Sequence, residues 1–80
     1  MENSEVKKLF LDTLQDYVEF PVEDVDTTQA FRAASGMDSY VFIELIAAVE
    51  DRFGIRIPNN DMRDFNTIDD IIRYIEAKIA

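Results

Sequence analysis

The segment Gly36-Met37-Asp38-Ser39-Tyr40 is where this chain could do chemistry. An Asp-Ser pair follows a glycine at the point where a long loop gives way to an apolar-periodic run. The N–H groups at a helix start lack intrahelical partners and lie at the positive end of the helix dipole. A phosphate ester on Ser39 would sit beside those donors, a favourable place for an anion, and Asp38 could cap the helix. The same two residues also make an ordinary N-cap pair. Taken by themselves they leave both readings open. The chain has neither histidine nor cysteine, and without a histidine base or an evident oxyanion pocket it has no evident means of activating Ser39 as a catalytic nucleophile. Imidazole bases, histidine or thiolate zinc sites and disulfides are excluded with them.

The carboxylates are the other candidates. Lys+Arg is 8 and Asp+Glu is 17, a net charge of −9. Such a surface repels phosphate backbones and anionic lipid and favours encounter with basic protein surfaces. No nucleic-acid partner and no membrane insertion are therefore expected. Val41, Glu44, Ala48 and Asp51 recur at three- and four-residue spacing, which puts them on one helix face, with Glu50 and Asp38 close by. That face is either an ordinary solvated one or a docking strip for Arg- and Lys-bearing enzymes. Glu23, Asp24 and Asp26 lack the alternating ladder, glycine and distal glutamate of a calcium loop. A small bundle leaves little room for the cleft of a glycosidase. With only Gly36 and Gly54, the chain has no glycine-rich phosphate loop.

Several elements must position these residues. Residues 4–18 read as an amphipathic helix, with Val6, Leu9, Phe10, Leu14 and Tyr17 on one side, Asn3 or Ser4 as cap, and Pro21 as its stop. A long connection runs from Glu19 to Asp38, pinned by Val22, Val25 and Phe31; loops of this length are functional or disordered, and the regular apolar anchors favour an ordered one. Residues 39–53 form the second helix, with Phe42, Leu45, Ile46, Val49 and Phe53 as its buried stripe, Ile43 beside it, and Gly54 as C′ residue. Ile55-Arg56-Ile57 alternates like a strand but has no partner. Asn59 to Phe65 has room for one or two helical turns. Thr67 with Asp70 resembles a capping box, and a last helix runs from Ile68 to Ile79. The fold expected is all-α, a small bundle of three main helices plus one short helix, with a long loop between the first and second helices. At 80 residues one domain, 1–80, is expected, where domains run to roughly 100–200 residues. The polar start Met-Glu-Asn-Ser-Glu and the lack of an apolar run of about 20 residues point to a cytoplasmic chain.

Gly36-Met37-Asp38-Ser39, then Ile43-Glu44-Leu45, then Val49 through Pro58 together resemble the acyl carrier protein family. Thr28, Phe31 and Gly36 upstream, and Asp61, Phe65, Thr67 and Ile68 downstream, follow the family's order, so the resemblance covers nearly the whole chain. It implies a 4′-phosphopantetheine arm, donated by coenzyme A, on Ser39. It implies a non-catalytic, monomeric carrier of acyl or aminoacyl thioesters. It also implies partners: a phosphopantetheinyl transferase, an acyl- or aminoacyl-loading ligase, and condensing or transferase enzymes with basic docking surfaces. Asp38, Tyr40, Val41, Glu44, Ala48, Glu50 and Asp51 would form the partner face. The competing reading is a helical interaction module with the same acidic face and no prosthetic group.

The departures from the family pattern bear on which partners are served. Tyr40 stands where leucine or methionine is usual, Val41 and Phe42 follow where a polar or acidic residue is common, Arg52 interrupts the acidic run, and Ala33-Ala34-Ser35 replaces the usual loop wording. These point to dedicated enzymes of a specialised fatty acid, polyketide or aminoacyl pathway. Tyr40 would touch the arm, its cargo or the partner, or else pack over the loop around Phe31.

Overall fold

The computed structural model describes residues 3–30 and 37–80. Among the described residues three α-helices carry the fold: α1 (Asn3–Gln15), α2 (Ser39–Phe53) and α3 (Ile68–Ile79). Two 3-10 turns lie between them, Val22–Asp24 before α2 and Asp61–Asp64 before α3. Among the described residues the only β pairing is an isolated antiparallel bridge, Ala30 with Thr67. The all-α reading holds. The expected short helix is the turn Asp61–Asp64, and Ile55-Arg56-Ile57 is not a strand.

The three apolar stripes meet in one core. Val6, Phe10 and Leu14 of α1 are fully buried, and α1 packs on both other helices. From α2 come Phe42, Leu45, Ile46 and Val49, and from α3 Ile68, Ile71, Ile72 and Ile75. Each such side chain contributes roughly 1.5–3 kcal/mol by leaving water. Val22, Ile57 and Phe65 close the core from the connections. Val25 and Phe53 pack partly against it, whereas Phe31 lies outside the described residues. Thr13 is the one buried polar residue among those described, and its hydroxyl donates to the Leu9 carbonyl at 2.8 Å.

The first helix ends three residues earlier than its apolar period suggests. Asp16 N–H and Tyr17 N–H bond back to Thr13 and Leu14 carbonyls, tightening the last turn. The Gln15 side chain then takes over. Its Nε2 donates to the carbonyls of Val18 (3.3 Å) and Phe20 (2.9 Å), and its Oε1 accepts from Val22 N–H (3.1 Å). One amide thus offers the backbone an alternative to further helix. Further on, Asp26 Oδ1 accepts from Thr28 N–H at 2.9 Å and from the Thr28 hydroxyl at 2.6 Å, folding the connection locally. These bonds, the hydroxyl first, hold the Asp26 carboxyl below its ordinary range. Asp69 N–H donates to Thr27 O at 3.0 Å, tying the connection to the start of α3.

The ends of α2 and α3 are set by local chemistry. Gly54 has φ 66, a left-handed conformation that a side chain disfavours, and both Gly54 and Ile55 N–H groups return to the Glu50 carbonyl. Glu50 Oε2 reaches on to Ile57 N–H at 2.8 Å. At α3 the capping box is complete: Thr67 Oγ1 accepts from Asp70 N–H, and Asp70 Oδ2 accepts from Thr67 N–H, both at 3.1 Å. Asp70 Oδ1 also takes Arg73 at 2.7 Å.

The Asp70 carboxyl is held below the ordinary carboxylate range, chiefly by the Thr67 N–H. A folded-state pKa below the unfolded one gives stability present above the unfolded value and lost as pH falls through the folded one. The stability advantage of the native chain over Asp70→Asn should therefore shrink as pH drops below about 4. Urea unfolding of both proteins at a series of acid pH values measures this. An advantage that stays constant across the series would contradict it.

Candidate functional site

Asp38 sits in extended backbone (φ −82, ψ 172), and its Oδ1 accepts from Val41 N–H at 2.9 Å. The Asp38 carbonyl accepts the first helical bond, from Phe42 N–H at 3.0 Å. The cap role therefore belongs to Asp38. Ser39 becomes the first helical residue, exposed at the positive end of α2. Its hydroxyl is not the acceptor that caps the helix. Of the loop before it, Gly36 lies outside the described residues, and Met37 is half-buried against the core.

Two grooves flank this helix start. The first, about 270 Å³, is lined by Ser39, Phe42, Ile43, Asn59, Met62 and Arg63. It runs between α2 and the turn Asp61–Asp64. The second, about 460 Å³, lies on the other side, where Met37, Asp38 and Val41 face Tyr17, Val18, Glu19 and Phe20 from the segment after α1. Beside the first groove stand the two large apolar side chains most open to water, Tyr40 at 72% exposure and Ile43 at 58%. The Tyr40 ring is thus mostly in solvent.

The acidic strip is partly as the spacing implies. Glu44 and Asp51 are exposed, with Val41 and Ala48 half-buried alongside them. Glu50 is different. It is half-buried, and Oε2 is committed to Ile57 N–H, so this carboxylate holds the turn after α2 as well as flanking the strip. Arg52, which interrupts the acidic run, reaches back to Asp16 at 3.5 Å. The sequence reading missed Asn59, Met62 and Arg63 as neighbours of Ser39. They lie 20 or more positions away in the sequence, and only the return of the chain after Pro58 brings them near. Among the described residues, no group of three or more acidic side chains converges as a metal would require. No helix among them is long and apolar enough to cross a membrane.

The turn Asp61–Asp64 is fixed on its far side by α3. The Tyr74 hydroxyl donates to Asp61 Oδ2 at 2.5 Å, and Phe65 meets the Tyr74 ring edge-on at 5.1 Å and 75°. Desolvation first, then the Asp61 carboxylate, push the Tyr74 phenol up to about 12. Lys78 Nζ lies 5.5 Å from the centre of the same ring.

Residues 8–75 match the family model described as a phosphopantetheine attachment site. The chain belongs to the acyl carrier protein family. An acyl carrier protein of Thermobifida fusca is 30% identical over 74 residues, 88% of this chain and 94% of that protein. Acyl carrier protein 3 of Ralstonia nicotianae is 35% identical over 60 residues, 75% of this chain and 69% of that one. A solution structure assigned to an acyl carrier protein of Anaplasma phagocytophilum superposes with a TM-score of 0.85 at 26% identity, covering 96% of this chain and 91% of that one. Membership makes this a carrier with a covalently attached 4′-phosphopantetheine, one that interacts with enzymes of acyl-handling pathways. Acyl carrier proteins carry and do not catalyse.

With Asp38 as the cap of α2, two variants of that residue should separate in urea unfolding. Asp38→Ala should cost about 1 kcal/mol, while Asp38→Asn, which keeps a side-chain acceptor, should lose little. Equal losses in the two Asp38 variants would remove the cap assignment.

Proposed function

We infer that Ser39 bears the arm, and that residues 1–80 work as one carrier unit loaded and unloaded by separate enzymes. The observation that carries this reading is the exposed Ser39 at the start of α2, with the cap taken by its neighbour Asp38. A hydroxyl so placed is open to a phosphopantetheinyl transferase. The serine oxygen then bonds to the phosphorus of coenzyme A, its proton is released, and the nucleotide half leaves. The group that results ends in a thiol, which supplies the sulfur this chain lacks for holding acyl or aminoacyl cargo as a thioester. Ser39 anchors it, and the tether raises the local concentration of cargo at any docked enzyme, so brief docking suffices.

Glu44 and Asp51, exposed on α2 with Val41 and Ala48, and Asp38 and Glu50 near them, suit basic surfaces on the transferase, a loading ligase and condensing or transfer enzymes. Tyr40 and Ile43, open at the base of the arm, favour dedicated partners in a specialised fatty acid, polyketide or aminoacyl pathway over the general fatty-acid set. The net charge of −9 supports a cytoplasmic monomer without nucleic-acid partners.

Incubated with coenzyme A and a broad-specificity transferase, the protein should gain the mass of one phosphopantetheine. Ser39→Ala should gain none and lose at most about 1 kcal/mol of stability. A mass gain that persists in Ser39→Ala, or none in the native chain, would refute the site; the second result would favour the interaction module.

The acidic strip has its own test. Glu44→Lys with Asp51→Lys should slow association with the transferase by about 10-fold or more, and the native rate should fall as salt rises. Stopped-flow association over a salt series reads both. A native rate indifferent to salt and to the reversal would exclude the strip.

A further inference from the structure

The groove between α2 and the turn Asp61–Asp64 has an unusual charge for this molecule. The chain has 17 acidic residues and 8 basic ones, yet among the described residues no acidic one lines this groove. Its polar lining residues are Ser39, Asn59 and Arg63, and its apolar walls are Phe42, Ile43 and Met62. Arg63 is the one charged residue among the described residues that line it.

Among the described cations Lys7, Lys8, Arg56 and Arg63 make no ion pair, while three others have side-chain partners. Arg52 pairs with Asp16, Arg73 pairs with Asp70, and Lys78 lies over the Tyr74 ring. Arg63 is exposed and makes no ion pair with any described residue, although Asp61 and Asp64 flank it in the sequence. Asp61 is turned the other way, holding the Tyr74 hydroxyl. The backbone that carries Arg63 is nonetheless well fixed. Asp61 N–H bonds to Pro58 O at 3.0 Å, Met62 N–H to Asn59 O at 3.2 Å and Phe65 N–H to Met62 O at 3.2 Å, while Phe65 is buried in the core. A cation thus lines the same groove as the serine, without an ion-pair partner among the described residues.

We propose that Arg63 pairs with the phosphodiester of the arm and so directs the first atoms of the arm into the groove between α2 and the turn Asp61–Asp64. This rests on the assignment of Ser39 as the attachment residue. A phosphodiester keeps one negative charge shared over two free oxygens, and a guanidinium presents a planar fork of donors that matches such a pair. The N-terminal N–H groups of α2 favour the same charge from the other side. The groove, about 270 Å³, is several times the roughly 30 Å³ that one water occupies in the liquid. Its apolar walls can take the hydrocarbon next to the phosphate. Arg63 is on this reading a positioning residue: it restrains the root of the arm while the thiol end stays free to reach partners.

Phosphorus NMR of the protein loaded with phosphopantetheine tests this without any partner enzyme. The native protein should show a resonance that moves toward that of a free phosphopantetheine-serine peptide as salt rises from about 0.01 M to about 1 M. Arg63→Ala should already lie near the peptide position at low salt and lose most of the salt response. Arg63→Lys, which keeps the charge but not the fork, should fall between them. Arg56→Ala, which removes an exposed charge outside the groove, should match the native protein. If Arg63→Ala and the native protein give the same resonance and the same salt response, or if Arg56→Ala has as large an effect, the pairing is wrong. That result includes the case in which Arg63 serves an acidic patch on a partner and changes only transferase affinity. Mass spectrometry on the same samples separates the two readings. Loading at Ser39 with an indifferent phosphorus overturns the Arg63 pairing alone, whereas loading elsewhere or none overturns both.

Discussion

Mutual repulsion among carboxylates is the constraint that shapes this molecule. Net charge of this size on so short a chain opposes compaction, and the opposing attraction comes from apolar side chains on three helices that share one interior. The first helix is central to this because it touches both others, and Val6, Phe10 and Leu14 have no exposed surface at all. Every acidic side chain must then lie outside, and among the described residues the only buried polar one is Thr13, satisfied within its own helix. The acidity of the surface and the compactness of the interior are consequences of the same partition.

Within that partition, individual carboxylates are used as structural pins where the backbone needs an acceptor. Asp38 starts α2, Glu50 holds the return after it, Asp26 folds the long connection and Asp70 starts α3. Glu44 and Asp51 have no such duty. The distinction explains how one residue type serves both fold and recognition: side chains tied to a backbone N–H set the frame, and those left in solvent set its external field. It also accounts for a cation beside the groove in an acidic protein: Asp61, two residues before Arg63, holds Tyr74 instead.

The parts legible in the sequence are those decided by short-range chemistry. Both ends of α2 and the start of α3 follow from Asp38, Gly54, Thr67 and Asp70, each acting within a few residues of itself. The end of α1 was misplaced because Gln15 captures backbone groups up to seven residues ahead, and nothing in the apolar period of Tyr17 and Val18 announces it. The Ile55-Arg56-Ile57 alternation reflects one buried residue, Ile57, flanked by exposed Arg56 and half-buried Ile55, rather than a strand. At the site, the Asp-Ser pair could be read directly, but the division of labour between cap and hydroxyl needed coordinates. Arg63 and Asn59 carry no local signal, since their relation to Ser39 exists only once α2 and the following turn have packed.

The side chains of this molecule share a long electrically quiet interval of pH. With no histidine and no cysteine, no side chain here has an ordinary pKa between about 5 and 9. The shifts that do occur all lead away from neutrality, Asp26 and Asp70 downward and Tyr74 up to about 12. Across neutral pH the side chains therefore bring little change of charge. A change in the molecule's associations as a compartment acidifies or alkalinises within that interval originates in its α-amino group, in the other protein, or in the group esterified to this one.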